Sequence, residues 1–138
     1  MIFSPTRISE LNVNPFYKAV GIRLESVADG AAQSVLQPGP DMCWPTAGRP
    51  HGGVLFTVLD TTMAFAAMSN GEPGTGCATV DCNIQYTAQA NHAPFTCRVA
   101  TISKTARTVF IRGELIDSKL TIVALAQATF RLFAPRGN

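Results

Sequence analysis

Charge is scarce in this chain of 138 residues, where Asp, Glu, Lys and Arg together make up 14% and the net charge is +2. So mild and scattered a balance excludes the basic stripe of a nucleic-acid binder and the polybasic face of a membrane-surface protein. Histidine is scarcer still: His51 and His92 are the only two, and no metal-ligand cluster can be built around them. The four cysteines, Cys43, Cys77, Cys82 and Cys97, contain no C-x-x-C pair. They read as reduced thiols in a reducing cytosol, with a disulfide left open until distances are known. There is no long hydrophobic run. The longest, Val54 to Met68, is broken by Asp60, Thr61 and Thr62, too short and too polar to span a bilayer. Met1 to Arg7 lacks a basic segment followed by an apolar signal core, so a cytoplasmic location is expected. Repeats, low-complexity tracts and linkers are absent as well, leaving one domain over residues 1–138.

What is present is an apolar content of 46%, enough for one core. Low charge in a small domain fits surface buried against another subunit, and it fits an apolar-rich monomer equally well. Asn14-Pro15 opens a short helix that Gly21 ends. Ile22 to Val27 and Ala31 to Leu36 read as strands around an Asp29-Gly30 turn. Prolines and glycines from Pro38 to Pro50 then mark a loop. Residues Gly52 to Ser69 form the one long helix, with Leu55, Leu59, Thr62 and Phe65 or Ala66 on one face and Val54, Val58 and Met68 on others. A belt that wide predicts a helix enclosed on most sides. Four strands follow: Thr79 to Tyr86, Phe95 to Ile102, Thr108 to Ile116 and Leu120 to Phe133. In the last, Ile122, Ala124, Ala126, Ala128, Phe130 and Leu132 alternate onto one face. The expected fold is α+β, an antiparallel sheet of about six strands wrapped around one long central helix.

Polar chemistry concentrates in Arg49-Pro50-His51-Gly52-Gly53, which feeds directly into the long helix, and in Asp60 two turns further on. Two glycines at a helix start leave backbone N–H groups open to developing negative charge, such as the oxygen of a polarised thioester. They also suit nothing more than a tight entry turn. Asp60, set in an apolar helix, is suited to act as nucleophile or general base. It equally suits a structural role, bonded to the hydroxyl of Thr57 or Thr61. Gly52 and Asp60 lie eight positions apart, roughly 12 Å along a helix axis. One reacting carbon cannot sit about 3 Å from both groups of a single helix. If both serve one substrate, they come from two helices running antiparallel across a two-fold axis.

The pattern from His51-Gly52-Gly53 to Asp60 resembles the signature of the PaaI-like branch of hotdog thioesterases, in the 4-hydroxybenzoyl-CoA thioesterase-like superfamily. The similarity extends from Asn14-Pro15-Phe16 to Phe130 and takes in Val80-Asp81-Cys82-Asn83-Ile84-Gln85-Tyr86 and Lys104-Thr105-Ala106-Arg107. The resemblance implies a hotdog fold, an acyl-coenzyme A substrate, no cofactor, and a homodimer or homotetramer with sites at each dimer interface. It implies Asp60 as nucleophile or general base, and the Gly52 amide as the group that polarises the thioester from the opposite helix start. His51 would hold that loop, and Thr79 would aim the attacking water. Gly53, Thr46, Asp81 and Arg107 become candidate substrate contacts, with Arg107 toward the coenzyme A phosphates. One departure stands out. Relatives carry Asn or Gln six positions before the His, where this chain has Pro45; Thr46 is the nearest substitute.

Three functions fit these residues: hydrolysis of an acyl-CoA, a hotdog dehydratase or hydratase, and a non-catalytic acyl-CoA-binding module. The second calls for a differently spaced His and Asp pair that the chain lacks. The acyl group stays open between aromatic and medium-chain, because it depends on the packing of Phe56, Met63, Phe65, Met68 and Trp44.

Overall fold

Proline and small polar residues start the first two helices of the computed structural model, which describes residues 3–137. Ser4 caps α1 (Pro5–Leu11) by accepting from the Arg7 amide, and Asn14 caps α2 (Pro15–Val20) by accepting from the Phe16 amide. Each has Pro in its first turn, where a missing N–H costs nothing. The sequence reading did not anticipate α1, whose apolar spacing amounts to Ile8 and Leu11 alone. Gly21 ends α2 at φ 94°, where a Cβ would run into the Gln37 carbonyl.

Strands β1 (Ile22–Ala28) and β2 (Ala31–Leu36) form the expected hairpin. Asp29 and Gly30, at φ 52° and 78°, give the turn that matches strand twist. The loop after β2 is more ordered than its prolines suggested. Cys43 pairs with Pro50, the Trp44 N–H donates to the Arg49 carbonyl at 2.8 Å, and the His51 N–H donates to the Met42 carbonyl at 2.9 Å.

Then come α3 (Gly52–Met68), β3 (Gly76–Tyr86), β4 (Phe95–Lys104), β5 (Thr108–Ile116) and β6 (Ile122–Phe133). All six strands join one antiparallel sheet in the order β1-β2-β4-β5-β6-β3, and each of them contacts α3. The sheet is wrapped around the helix, as the sequence led us to expect. Strand β6 starts at Ile122 rather than Leu120. Leu120 sits at φ 67° in a turn whose Asp117 carboxylate accepts the Lys119 and Thr121 amides at 2.9 and 2.8 Å. A register irregularity opposite Ile116 leaves Ile122 exposed and Val123 buried, so the inward alternation begins at Ala124.

The core centres on α3. Val58, Leu59, Met63, Ala66 and Ala67 are fully buried against Phe95, Ile111, Leu115 and Phe130 of the sheet. Each large aliphatic chain so buried contributes about 1.5–3 kcal/mol. Glycine at 113 lets the helix lie close, because a Cβ there would stand 2.8 Å from Val99 Cγ1 and 3.2 Å from Leu59 Cδ2. The buried Thr62 hydroxyl donates to the Val58 carbonyl at 2.6 Å, so Ser34 supplies the proton for the 2.6 Å bond between the two hydroxyls. At the far end, Ser69 accepts from the Gly30 amide and Asn70 donates to Thr101, tying the helix to the hairpin tip and to β4. One stripe of α3 is left uncovered: Gly53, Phe56, Thr57, Asp60, Thr61, Ala64 and Met68 are exposed or half-buried. Asp60 therefore lies on this open stripe and not among the buried apolar residues of the helix. Among the described residues no helix is long and apolar enough to cross a membrane.

Candidate active site

The start of α3 is capped by a side chain that also bears on chemistry. His51 is the N-cap, and its Nδ1 accepts the Gly53 N–H at 2.9 Å. A nitrogen that accepts carries no proton, so neutral His51 holds its proton on Nε2, which remains a donor. The Trp44 ring lies over the imidazole, with centroids 4.8 Å apart and planes tilted by 39°. Trp44 thus packs against His51 within the loop.

These bonds separate the two glycines. The Gly53 amide is spent on His51, which corrects the expectation that either glycine could face a substrate oxygen. The Gly52 amide donates to no acceptor among the described residues. On its other side, the Gly52 carbonyl accepts the Tyr86 hydroxyl at 2.8 Å, and the Tyr86 ring lies 3.3 Å from where a Cβ would be. Burial, and then Cys82, raise the tyrosine's pKa and keep it the donor.

Two turns along the helix, Asp60 Oδ1 accepts the Thr79 hydroxyl at 2.8 Å. Thr57 and Thr61 were the candidate partners for a structural Asp60. Thr57 instead donates to the Gly53 carbonyl at 2.8 Å, and among the described residues only Thr79 bonds to the carboxylate. Thr79 and Tyr86 both reach α3 from β3, although they are seven positions apart. In a regular strand an odd separation puts two side chains on opposite faces. The register shift between Thr79 and Asp81 inserts the extra residue that brings both to the helix side, followed by Cys82 and Ile84. Asp81 pairs with Thr129 and falls in phase with Asn83, whose side chain lines an outer groove with Arg112 and Gln127. The structure therefore does not bring Asp81 to Asp60 within a protomer.

Cys77 and Cys82 flank the carboxylate. Burial first, then the Asp60 charge, pushes each thiol from the usual 9.0 to about 11. Both stay protonated near neutrality, which makes them poor nucleophiles. Arg107 stands in the exposed β4–β5 turn, beside a groove of about 430 Å³ that Lys104, Asn70 and Phe133 also line. Thr46 lies with Pro45 in an exposed turn and makes no side-chain bond to Asp60 among the described residues. All four cysteines are free, and among the described residues no His, Cys, Asp or Glu group could hold a metal.

Residues 47–124, which span the His51 loop, α3 and the first strands after it, match the sequence model of the family described as the thioesterase superfamily. The chain belongs to the thioesterase superfamily. Solved structures agree on the fold of this thioesterase, which is the hotdog fold. Thioesterase HI1161 from Haemophilus influenzae superposes with a TM-score of 0.87 at 15% identity, covering 99% of this chain and 94% of the other. Conserved protein PA5202 from Pseudomonas aeruginosa gives 0.81 at 24% identity, over 90% and 98%. The E. coli PaaI protein from the phenylacetic acid degradation operon gives 0.79 at 22%, over 92% and 90%. No curated protein sequence matches the thioesterase significantly. Sequence reasoning overlooked Tyr86. The only signal for it was an aromatic at a strand end, and the bond depends on a bulge that no glycine or proline announces.

Proposed function

We propose that the thioesterase hydrolyses an acyl-coenzyme A, with an aromatic or medium-chain acyl group, at a site completed by a second copy of the chain. One observation carries this reading. A single helix presents an unspent amide at Gly52 and, roughly 12 Å further along its axis, a carboxylate oriented by Thr79 on its open stripe. The two groups are too far apart for one thioester and stand beside β3, an edge strand with a partner on one side only. An unpaired edge invites pairing, and antiparallel pairing of β3 with its copy would extend the sheet across a two-fold axis. Such a pairing would set the two α3 helices antiparallel, with Gly52 of one facing Asp60 of the other.

In this site the thioester oxygen points at the Gly52 N–H, where helix dipole and amide favour the charge that develops as the carbonyl is attacked. His51, whose Nε2 keeps its proton, would donate toward the same end of the substrate. Asp60 acts in one of two ways. As general base it takes a proton from water, the hydroxide adds to the carbonyl carbon, and collapse expels the thiolate, which recovers the proton. As nucleophile its own oxygen adds and expels the thiolate, and water then cleaves the resulting anhydride. Thr79 holds the carboxylate for either route. Arg107, with Lys104 lining the same groove, would meet the coenzyme A phosphates.

Thiol release by the purified protein over a panel of acyl-CoAs tests this. Wild type should turn over at least one member. Asp60→Asn, which keeps the shape but loses basicity and nucleophilicity, should abolish turnover and leave acyl-CoA affinity within a few-fold. Equal rates for the two proteins across the panel would reject catalysis by Asp60 and favour a binding module.

A further inference from the structure

Glycine at position 52 exposes the amide but also loosens it, since a residue without a Cβ has the widest choice of backbone angles. A second glycine follows, so the peptide between Gly52 and Gly53 would be the least constrained in the helix. It is instead gripped at both ends. Its N–H is taken by His51 Nδ1 at 2.9 Å and its carbonyl oxygen by the Tyr86 hydroxyl at 2.8 Å. The preceding peptide is held too, because the His51 carbonyl accepts the Val54 amide at 2.8 Å and the Leu55 amide at 3.4 Å. Gly52 Cα thus stands between two fixed peptide planes.

We propose that Tyr86 is a positioning residue for the Gly52 amide: its hydroxyl locks the Gly52–Gly53 peptide, and with it the direction in which the Gly52 N–H points. This inference rests on the assignment of that amide as the thioester-polarising group. Within one protomer the Tyr86 hydroxyl bonds only to this helix start, and its side chain has no other hydrogen bond among the described residues. A donor fixed in advance stabilises charge without reorganising during the reaction, whereas a swinging one loses much of that effect. The ring has a second consequence. Lying 3.3 Å from the missing Cβ, it is what any side chain at position 52 would displace.

The test is steady-state kinetics on an acyl-CoA that the wild-type homo-oligomer hydrolyses, with Asp60→Asn measured alongside. Tyr86→Phe keeps the ring and removes the hydroxyl. Loss of one such bond should lower kcat about three- to tenfold while KM and the melting temperature stay close to wild type. Exchange of the Gly53 amide proton, which the same peptide donates to His51 Nδ1, should speed up in this variant when followed by NMR. In the double variant Gly52→Ala/Tyr86→Phe the two losses should be less than additive, because the alanine already displaces the ring. An unchanged kcat in Tyr86→Phe, with Asp60→Asn inactive, would overturn the role of Tyr86 and leave the catalytic assignment standing. A fall in kcat matched by a fall in melting temperature would overturn it as well, marking Tyr86 as structural only. If Asp60→Asn is as active as wild type, the underlying reading fails instead.

Discussion

Two inactive variants should restore each other. Asp60→Asn removes the carboxylate and keeps the Gly52 amide. Gly52→Val keeps Asp60 and blocks approach to the amide, its side chain pressing on a Tyr86 ring 3.3 Å from the Cβ position. If each site takes Asp60 from one protomer and Gly52 from the other, a mixed dimer carries one site with both groups intact and one with neither. Random mixing of equal amounts gives about half mixed dimers, each with one working site of two, so activity should recover to about a quarter of the wild-type value per chain. The eight-residue separation leaves no route to this result within one protomer, because rigid helix geometry holds the groups roughly 12 Å apart. The assay is co-expression with two different affinity tags, tandem purification of the mixed species, and thiol release on the best substrate. Purified mixed dimers with half the wild-type rate meet the expectation. Mixed dimers no more active than the two parents averaged would refute the shared site.

Other outcomes follow from the packing. Cys77, Cys82 and Cys97 are raised from the usual 9.0 to about 11, 11 and 12, chiefly by burial. A raised folded-state value means the fold favours the protonated thiol, so this contribution is whole below pH 9 and is lost as pH climbs from 9 toward 12. Denaturation midpoints compared at pH 8 and 10.5 should fall less in Cys77→Ala/Cys82→Ala than in wild type; equal falls would contradict the burial argument. Gly113→Ala places a methyl 2.8 Å from Val99 Cγ1. It should cost about 1–3 kcal/mol of stability, read by urea denaturation, and an unchanged midpoint would show that the Val99 and Leu59 side chains both give way.

The long helix was legible because nine of its residues are buried and so must be apolar or small over a run that no strand matches. Its polar exceptions were legible for the same reason: Asp60 and the His51-Gly52-Gly53 entry stand out against that run. The face to which Asp60 belongs was not, since an enclosed helix shows no strong apolar moment from which to tell the covered side from the open one. The direct Thr79–Asp60 bond and the outward setting of Asp81 were hidden by the same irregularity. A bulge changes which residues of β3 share a face, and Thr79-Val80-Asp81 contains no residue that requires one. The role expected of Gly53, and the one overlooked at Tyr86, depended on which peptide group was already bonded, and that is set by rotamers and distances rather than by residue type.

The bulge in β3 sets a rule of length for this stretch of the chain. Thr79 and Tyr86 face the same helix only because one extra residue sits between them. A deletion of Val80 itself would remove the bulge and leave the two an even number of positions apart in a regular strand, so both would still face the helix. With the bulge kept, a single deletion or insertion elsewhere between them would turn one of the two away from the helix, whereas a paired insertion and deletion would leave both in place. Loops elsewhere on the protein tolerate drift in length one residue at a time. From Thr79 to Tyr86 the number of residues, and not only their identity, is part of the active-site geometry.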